Sequence, residues 1–215
     1  MFTVNPFDPH VVSASEWAAF HRMRALLAAD TAPGEPMPSN ADFEHDARRE
    51  RPLFETRRFV AWAGDEAVGV LGIAFRRQGT PNYADHAPFC YVWGGVVPAW
   101  RRRGVARALL RPLLVFLQEL DKTTVTIDTQ LPSGHAFLTA IGAVEKHRMV
   151  QNRLPFARLD WAELARWEAA TPPELIWEVH AGAVPLNRLA ALLPRFTALF
   201  DRVAWIILFI FNSLY

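Results

Sequence analysis

The stretch VVPAWRRRGVAR, residues 96–107, decides the expected fold because it joins an apolar run to an amphipathic helix. Residues 89–97 (FCYVWGGVV) are predicted to form a buried central strand, and residues 103–120 carry apolar side chains at helical spacing. The start of a helix leaves several backbone N–H groups without partners, and the helix dipole adds about half a positive charge there. We therefore expect an anion site at this junction.

Individual residues of the junction suit a bound diphosphate. Gly104 lets the backbone approach a phosphate closely, and Ala106 keeps the next helical turn small. Positive charge that a diphosphate would neutralise comes from four arginines: Arg101, Arg102, Arg103 and Arg107. The alternative is that the basic triplet is only a solvated face beside a helix. The buried strand before it and the long amphipathic helix after it favour the anion site.

The surrounding elements predict an α/β arrangement. A helix over residues 17–29, capped by Ser15, and a second from about 40 to 51 precede a hairpin with strands at 58–63 and 67–75. After the junction helix we expect a strand over 123–129, a short helix over 135–141 and a returning strand over 143–154. The pair Gly94-Gly95 inside the central strand suggests a bulge or a close backbone approach by a ligand.

The pattern restarts after Pro155. We expect a helix over 161–170 capped by Asp160, a strand over 175–180 and a helix over 186–200. Residues 203–215 (VAWIILFIFNSLY) are uncharged and, as a helix, would span roughly 20 Å, less than the roughly 30 Å of a bilayer core. Three interpretations of this run stay open. It is a buried strand or helix, or it is a tail that contacts a membrane surface, a partner or a second copy of the chain. The third interpretation is a C-terminus that lacks the rest of a domain.

Length and composition exclude several classes of protein. The chain has 215 residues, which at roughly 150 residues per domain makes about 1.4 domains. With 51% hydrophobic and 21% charged residues it is too apolar for a disordered chain. Its formal net charge of +1 does not suit a dedicated nucleic-acid binder, so no nucleic-acid partner is expected.

Cysteine and histidine usage bears on cofactors and compartment. The single Cys90 allows neither an intramolecular disulfide nor a cysteine metal cluster, which is typical of a reducing compartment. The histidines show no metal-ligand spacing, so no metal cofactor is expected. The first residues carry neither a basic segment nor a long apolar run, so no secretory signal is visible. We expect a cytoplasmic protein that is not a membrane protein.

The pattern R-x-x-G-x-A at residues 101–106, after a strand that ends in Val-Pro, resembles the acyl-CoA loop of the GNAT superfamily of N-acetyltransferases. The loop of that family has the pattern Q/R-x-x-G-x-G/A. The hairpin, the strand near residues 125–128 and the segment 134–143, which ends in Ile-Gly-Ala, follow the order expected for the family. The resemblance covers residues 1 to about 155.

This resemblance implies an α/β (α+β) fold: a mixed, mostly antiparallel sheet with splayed central parallel strands, flanked by helices. It makes residues 1–155 a GNAT-like acyl-CoA-binding domain. Residues 156–215 become a C-terminal extension that we interpret as a partial second GNAT-like unit, because residues 153–180 resemble the bridge of tandem acetyltransferases. No second R-x-x-G-x-A follows residue 107.

The resemblance also implies acetyl-CoA as the co-substrate and a set of cofactor-binding residues. Gly95, Val96 and Val97 would pair with the pantetheine arm, and an N–H near Val96 would polarise the thioester carbonyl. The pyrophosphate would be wrapped by backbone N–H groups from a continuous run: Arg102, Arg103, Gly104, Val105, Ala106 and Arg107.

The sequence offers several candidates for the groups that move protons. Many family members carry a tyrosine as the acid for the leaving thiolate, but that position here is Leu138. An amine must lose a proton before it attacks, so a base is needed as well. The catalytic candidates are Tyr91 and Asp128, with Asp85 and His86 as further candidates for the base. Each also has a structural interpretation: Tyr91 as a core residue, Asp128 as a strand-end cap and His86 as a solvated loop residue.

Together these observations predict an N-acetyltransferase that moves an acetyl group from acetyl-CoA to a primary amine by direct attack in a ternary complex. The acceptor is a small-molecule or peptide amine, and aminoglycosides, polyamines, peptide N-termini and lysines all fit. The alternative is a CoA-binding or structural module without rapid turnover, which contacts a partner through its apolar C-terminus.

Overall fold

The computed structural model describes residues 1–149, 156–170 and 172 of the chain. The strands are β1 (Thr3–Pro6), β2 (Phe54–Ala63), β3 (Glu66–Arg76), β4 (Phe89–Val96) and β5 (Thr124–Ile127). The helices are α1 (Ala14–Thr31), α2 (Asn40–Arg48), α3 (Tyr83–His86), α4 (Val105–Glu119), α5 (Pro132–Ala140) and α6 (Trp161–Ala169). Short 3₁₀ turns lie at Pro98–Trp100 and Phe156–Arg158. The chain divides into two units, Met1–Arg148 and Met149–Tyr215.

The strands of the first unit form a five-stranded sheet in the order β1-β2-β3-β4-β5. The pairs β1–β2, β2–β3 and β3–β4 are antiparallel, and β4–β5 is parallel. A parallel pair needs a crossover connection, which α4 supplies between β4 and β5. The mixed, mostly antiparallel sheet flanked by helices confirms the predicted fold class.

Helix α4 packs on one face of this sheet. Its apolar stripe is buried through Val105, Leu109, Leu113 and Leu117. Gly69 of β3 makes room for the helix, since a Cβ there would lie 3.1 Å from Val105 Cγ1 and 3.2 Å from Leu109 Cδ1. Full burial of an aliphatic side chain of this size contributes about 1.5–3 kcal/mol, so this stripe fixes α4, and with it the junction, on the sheet.

Helix α1 packs on the opposite face. Trp17, Phe20 and Met23 are its buried contacts. Gly95 of β4 lies beneath the same helix, because a Cβ there would be 3.2 Å from Leu27 Cδ2. Val96 is the cross-strand partner of Gly69, so both lie on the face that α4 covers. Gly95 is next to Val96 in β4, and successive residues of a strand alternate between faces, so Gly95 lies on the opposite face. The junction is therefore held between helices on both faces.

Several boundaries differ from the prediction. Helix α1 is capped by Ser13 and not by Ser15, because Ser13 forms a capping box with Glu16. Helix α2 ends at Arg48, a few residues before the expected end. Residues 143–149 were expected in a strand but have no strand partner within the described chain, and Val144 is 71% exposed.

The segment after Pro155, where the sequence pattern of helices and strands restarts, is described only in part. Asp160 caps α6 as predicted, its side chain accepting from the N–H of Glu163 at 2.9 Å. The strand expected over 175–180, the helix expected over 186–200 and the apolar run 203–215 lie outside the described residues. Within the part of the chain that the structure describes, no helix is long and apolar enough to cross a membrane.

Candidate functional site

The parallel strands β4 and β5 stop pairing partway along β4. Their register runs from Phe89 opposite Thr124 to Val92 opposite Ile127. β5 ends at Ile127, whereas β4 continues to Val96. The last part of β4 therefore has β3 on one side and no strand of the described chain on the other. We call this open edge the splay, after the arrangement that the GNAT resemblance implies.

The backbone of Val96 faces this splay. The N–H of Val97 donates to the carbonyl oxygen of Val68 at 3.1 Å, so Val97 directs its N–H towards β3. In an antiparallel ladder the next residue along the strand points its N–H and C=O the other way. Val96 therefore directs its N–H group away from β3, whereas the Val97 N–H is already used by the sheet.

Gly94 is required by the sheet itself. Its φ is +150°, and a Cβ there would lie 2.1 Å from the carbonyl oxygen of Val70 and 2.9 Å from Leu71 Cα. The sequence predicted a bulge or a close backbone approach by a ligand at this place. The close approach is made by the backbone of β3, which occupies the place that a side chain at position 94 would need.

The start of α4 presents a row of backbone N–H groups. Gly104 is the N-cap with φ +82°, and Arg102 also has a positive φ of 62°. The N–H of Ala108 donates the first intrahelical hydrogen bond, to the carbonyl oxygen of Gly104. The N–H groups of Val105, Ala106 and Arg107 therefore have no intrahelical acceptor. A Cβ at Gly104 would meet nothing within 4 Å. This is the backbone geometry that binds an anion.

Arg101 does not contribute free charge to this anion site, which corrects the sequence-based expectation. Its Nε donates to the carbonyl oxygen of Val96 at 3.1 Å, and its Nη2 pairs with Asp30 of α1. Arg101 therefore ties the end of β4 to α1. Sequence reasoning missed Asp30, although an acidic residue in the last turn of a helix opposes the dipole and indicates a partner elsewhere.

The other arginines of the junction are exposed. Arg103 lies with its Cζ 5.1 Å from the centre of the Trp100 ring. Arg102 and Arg107 make no ion pair with any described residue. Their charges are therefore available beside the N–H groups of α4.

Two candidates for proton transfer are brought together by β4 and β5. The Tyr91 hydroxyl donates to Asp128 Oδ2 at 3.1 Å, although 37 positions separate them in sequence. Burial, together with the neighbouring Asp128 carboxylate, raises the pKa of Tyr91 to about 12. Tyr91 therefore stays protonated near neutral pH and is not the base. The carboxylate of Asp128 is the member of the pair that can accept a proton.

Trp93 completes this cluster and was not singled out from the sequence. Its ring stacks on Tyr91 with centroids 6.1 Å apart and an interplanar angle of 20°. The signal for it was the alternation of β4, which places residues two apart on one face.

The remaining candidates lie elsewhere. Asp85 and His86 are exposed in the short helix α3, and Leu138 lies in α5. Cys90 is buried, and burial raises the pKa of its thiol, as befits a small apolar core residue. Within the described residues, no group of three or more His, Cys, Asp or Glu side chains could hold a metal ion.

A family model described as "Acetyltransferase (GNAT) family" matches residues 20–142, more than half of the chain. The chain belongs to the GNAT family. The matched residues include the end of β4, the α4 junction and the Tyr91–Asp128 pair. A comparison with curated protein sequences gave no match.

Solved structures show the same GNAT fold. An aminoglycoside acetyltransferase from an uncultured soil metagenomic sample, in complex with sisomicin, is 16% identical with a TM-score of 0.53, covering 72% of this chain and 96% of that one. A ribosomal-protein-alanine N-acetyltransferase from Brucella melitensis biovar Abortus 2308 is 15% identical with a TM-score of 0.51, covering 72% of this chain and 100% of that one. A tandem GNAT protein from the clavulanic acid biosynthesis pathway is 27% identical with a TM-score of 0.54, covering 66% of this chain and 43% of that one.

Proposed function

We propose that this GNAT protein is an N-acetyltransferase that moves the acetyl group of acetyl-CoA to a primary amine by direct attack in a ternary complex. Family membership supports acetyl transfer in general. The observation that carries the proposal is the Val96 N–H, directed into the splay between β4 and β5 and adjacent to the N-terminus of α4.

The residues assigned to cofactor binding lie in two places, the end of β4 and the start of α4. The pantetheine arm would lie along the end of β4, at Gly95, Val96 and Val97, and only Val96 of these three points its N–H away from β3. The pyrophosphate would lie at the start of α4 against the backbone of residues 102–107, with the side-chain charges of Arg102 and Arg107 beside it. The donors present fit an anion at one end and a polarised carbonyl oxygen at the other.

The acyl-transfer step follows from these positions. The amine nitrogen forms a bond to the thioester carbonyl carbon, and the developing negative charge on oxygen is stabilised by the Val96 N–H. The ammonium form of the amine loses one proton to solvent before the attack. Asp128 accepts the second proton, which the nitrogen becomes acidic enough to lose once the new bond has formed. The carbon–sulfur bond then breaks, and the thiolate takes a proton from water, since Leu138 occupies the place of the family's acidic tyrosine.

Tyr91 acts as a positioning residue in this scheme. Its hydroxyl occupies Asp128 Oδ2 at 3.1 Å and leaves the other carboxylate oxygen for the amine. A fixed carboxylate is a better base for an oriented nucleophile than a freely rotating one.

The experiment is to measure CoA release from acetyl-CoA against a panel of primary amines, with the wild type, Asp128→Asn and Asp121→Asn. Turnover that falls at least about 100-fold in Asp128→Asn supports the proposal, because general base catalysis is worth about 10²–10⁴-fold. Asp121→Asn, an exposed acid after α4, is the matched control and should leave turnover unchanged. Tight binding of CoA without turnover on any amine would favour the binding module instead.

The extent of the catalytic unit is part of the same proposal. We assign acetyl-CoA binding and transfer to residues 1–155, and we interpret residues 156–215 as a partial second GNAT-like unit. The chain also divides into two units, with the boundary after Arg148, and a tandem GNAT protein is among the solved structures that it resembles. Cytoplasmic location stays a prediction from the sequence.

A further inference from the structure

One face of the sheet carries a row of side chains that run from β2 to β5. Arg58 pairs with Gly72, and Gly72 pairs with Trp93, so these three positions project on the same face. Tyr91 lies on that face two residues before Trp93, and Asp128 accepts its hydroxyl from beyond the end of β5. A cation on β2 and a carboxylate after β5 thus border the same aromatic pair.

The aromatic pair fills the distance between these charges. A Cβ on Gly72 would lie 2.4 Å from Trp93 Cε2 and Cζ2, so the indole lies over β3, on the side of β4 that faces Arg58. Tyr91, stacked on Trp93, reaches the other way to Asp128. Three strand spacings separate β2 from β5, a backbone distance of about 14 Å.

Arg58 is a half-buried cation with no ion-pair partner among the described residues. Within the described chain its guanidinium makes no hydrogen bond and no ion pair, and its ring contact is Phe43, whose centroid is 6.0 Å from Cζ. Asp46, whose charge reaches Arg58, is itself paired with Arg51 at 2.6 Å. Burial, and to a smaller extent the neighbouring Arg51 cation, lowers the pKa of Arg58, because both disfavour its charged form.

A second half-buried guanidinium contacts the same ring. Arg24 of α1 lies with its Cζ 3.7 Å from the centre of Phe43. Its Nη1 donates to His21 Nδ1 at 3.0 Å, and its Nη2 makes a long contact of 3.4 Å with the carbonyl oxygen of Pro38. Glu44, beyond His21, accepts from His21 and Arg48 and not from Arg24. The Phe43 region therefore carries two cations and no carboxylate bound to either.

We propose that the acceptor amine also bears an anionic group, a carboxylate or a phosphate, that Arg58 and Arg24 bind while the amine lies at Asp128. The proposal deepens the proposed function and rests on it. The Tyr91–Trp93 pair supports the part of the acceptor between its two charges. A polycationic acceptor is disfavoured, since a second ammonium group would meet two unpaired guanidinium groups.

The test measures equilibrium binding to the CoA-loaded full chain of four probes of similar length: 6-aminohexanoate, 6-aminohexyl phosphate, hexylamine and 1,6-diaminohexane. 8-Aminooctanoate and 1,8-diaminooctane repeat the comparison at greater length. The variant is Arg58→Gln. Arg57→Gln is the matched control, since Arg57 is exposed, projects on the other face of β2 and is paired with Glu55. Acetyl transfer to each probe is followed in parallel through CoA release.

We expect the anionic probes to bind at least about tenfold more tightly than the diamine of equal length, and Arg58→Gln to remove that preference while Arg57→Gln retains it. The carboxylate and phosphate arms show which anion is preferred. Diamines that bind as well as the anionic probes, no binding by any probe, or a preference that survives Arg58→Gln would each overturn the inference. Failure of the proposed function gives a different result: the protein would neither bind CoA nor acetylate any probe.

Discussion

The substitution Gly94→Ala tests whether the close packing of β4 against β3 depends on a glycine. A Cβ at this position would lie 2.1 Å from the carbonyl oxygen of Val70. A carbon and a carbonyl oxygen rarely approach closer than about 3.3 Å, so β4 would have to move by roughly 1 Å relative to β3. The φ of +150° adds strain of about 1–3 kcal/mol for a residue with a side chain.

Together the strain and the lost pairing should destabilise the protein by about 2–4 kcal/mol. Urea unfolding followed by tryptophan fluorescence measures this as a lower midpoint. The matched control is Gly95→Ala, where the Cβ would meet the end of the Leu27 side chain, Cδ2, at 3.2 Å. That methyl group can shift by rotation of the side chain, so we expect a cost below about 1 kcal/mol. Equal midpoints for Gly94→Ala and the wild type would refute the account of β4.

Three further predictions concern single contacts. Spectrophotometric titration should give Tyr91 a pKa of about 12. Asp128→Asn should lower the pKa of Tyr91, although burial keeps it above that of a free phenol. An unchanged pKa of Tyr91 in this variant would exclude the hydrogen bond to Asp128. Asp30→Asn should lower the free energy of unfolding by about 1–3 kcal/mol, because it leaves the half-buried Arg101 without its ion pair, and a midpoint equal to that of the wild type would argue against the contact. Cys90, only 4% exposed and with its thiol pKa raised by burial, should react with a thiol reagent only after unfolding; fast reaction of the native protein would contradict its placement in the core.

The part of the site that is local in sequence could be predicted. The strand, the turn and the helix at residues 96–107 follow one another directly. Gly104 was expected to leave the start of the helix open, and the structure has no atom within 4 Å of its Cβ position. The hairpin of β2 and β3 was found for the same reason, since its strands are joined by a short polar turn. Features that depend on only a few consecutive residues can be recognised without knowing the tertiary fold.

Contacts between distant residues could not be predicted in the same way. Arg101 was expected to face a diphosphate, but it pairs with Asp30, 71 positions away. Tyr91 and Asp128 were both candidates, yet nothing in the sequence shows that they share a hydrogen bond. Even the cap of α1 required a choice between two serines, which Glu16 decides because its side chain reaches back to Ser13.

The sequence did not show which N–H groups at the end of β4 point towards β3 and which point away from it. Gly95, Val96 and Val97 were expected to act together on the cofactor. The hydrogen bond from the Val97 N–H to Val68 shows that neighbouring residues alternate, and that Val96 and Val97 point to opposite sides. Register, and not residue type, determines which N–H is available.

The central claim is that the start of α4 binds the diphosphate of acetyl-CoA, and a calorimetric titration of acetyl-CoA tests it most directly. The double variant Arg103→Glu with Gly104→Glu is compared with Arg111→Glu with Gln118→Glu, which makes the same charge change on exposed positions further along the helix. We predict that the first variant loses at least about 100-fold in affinity and that the second keeps that of the wild type. Equal affinity in the wild type and the first variant would contradict the claim.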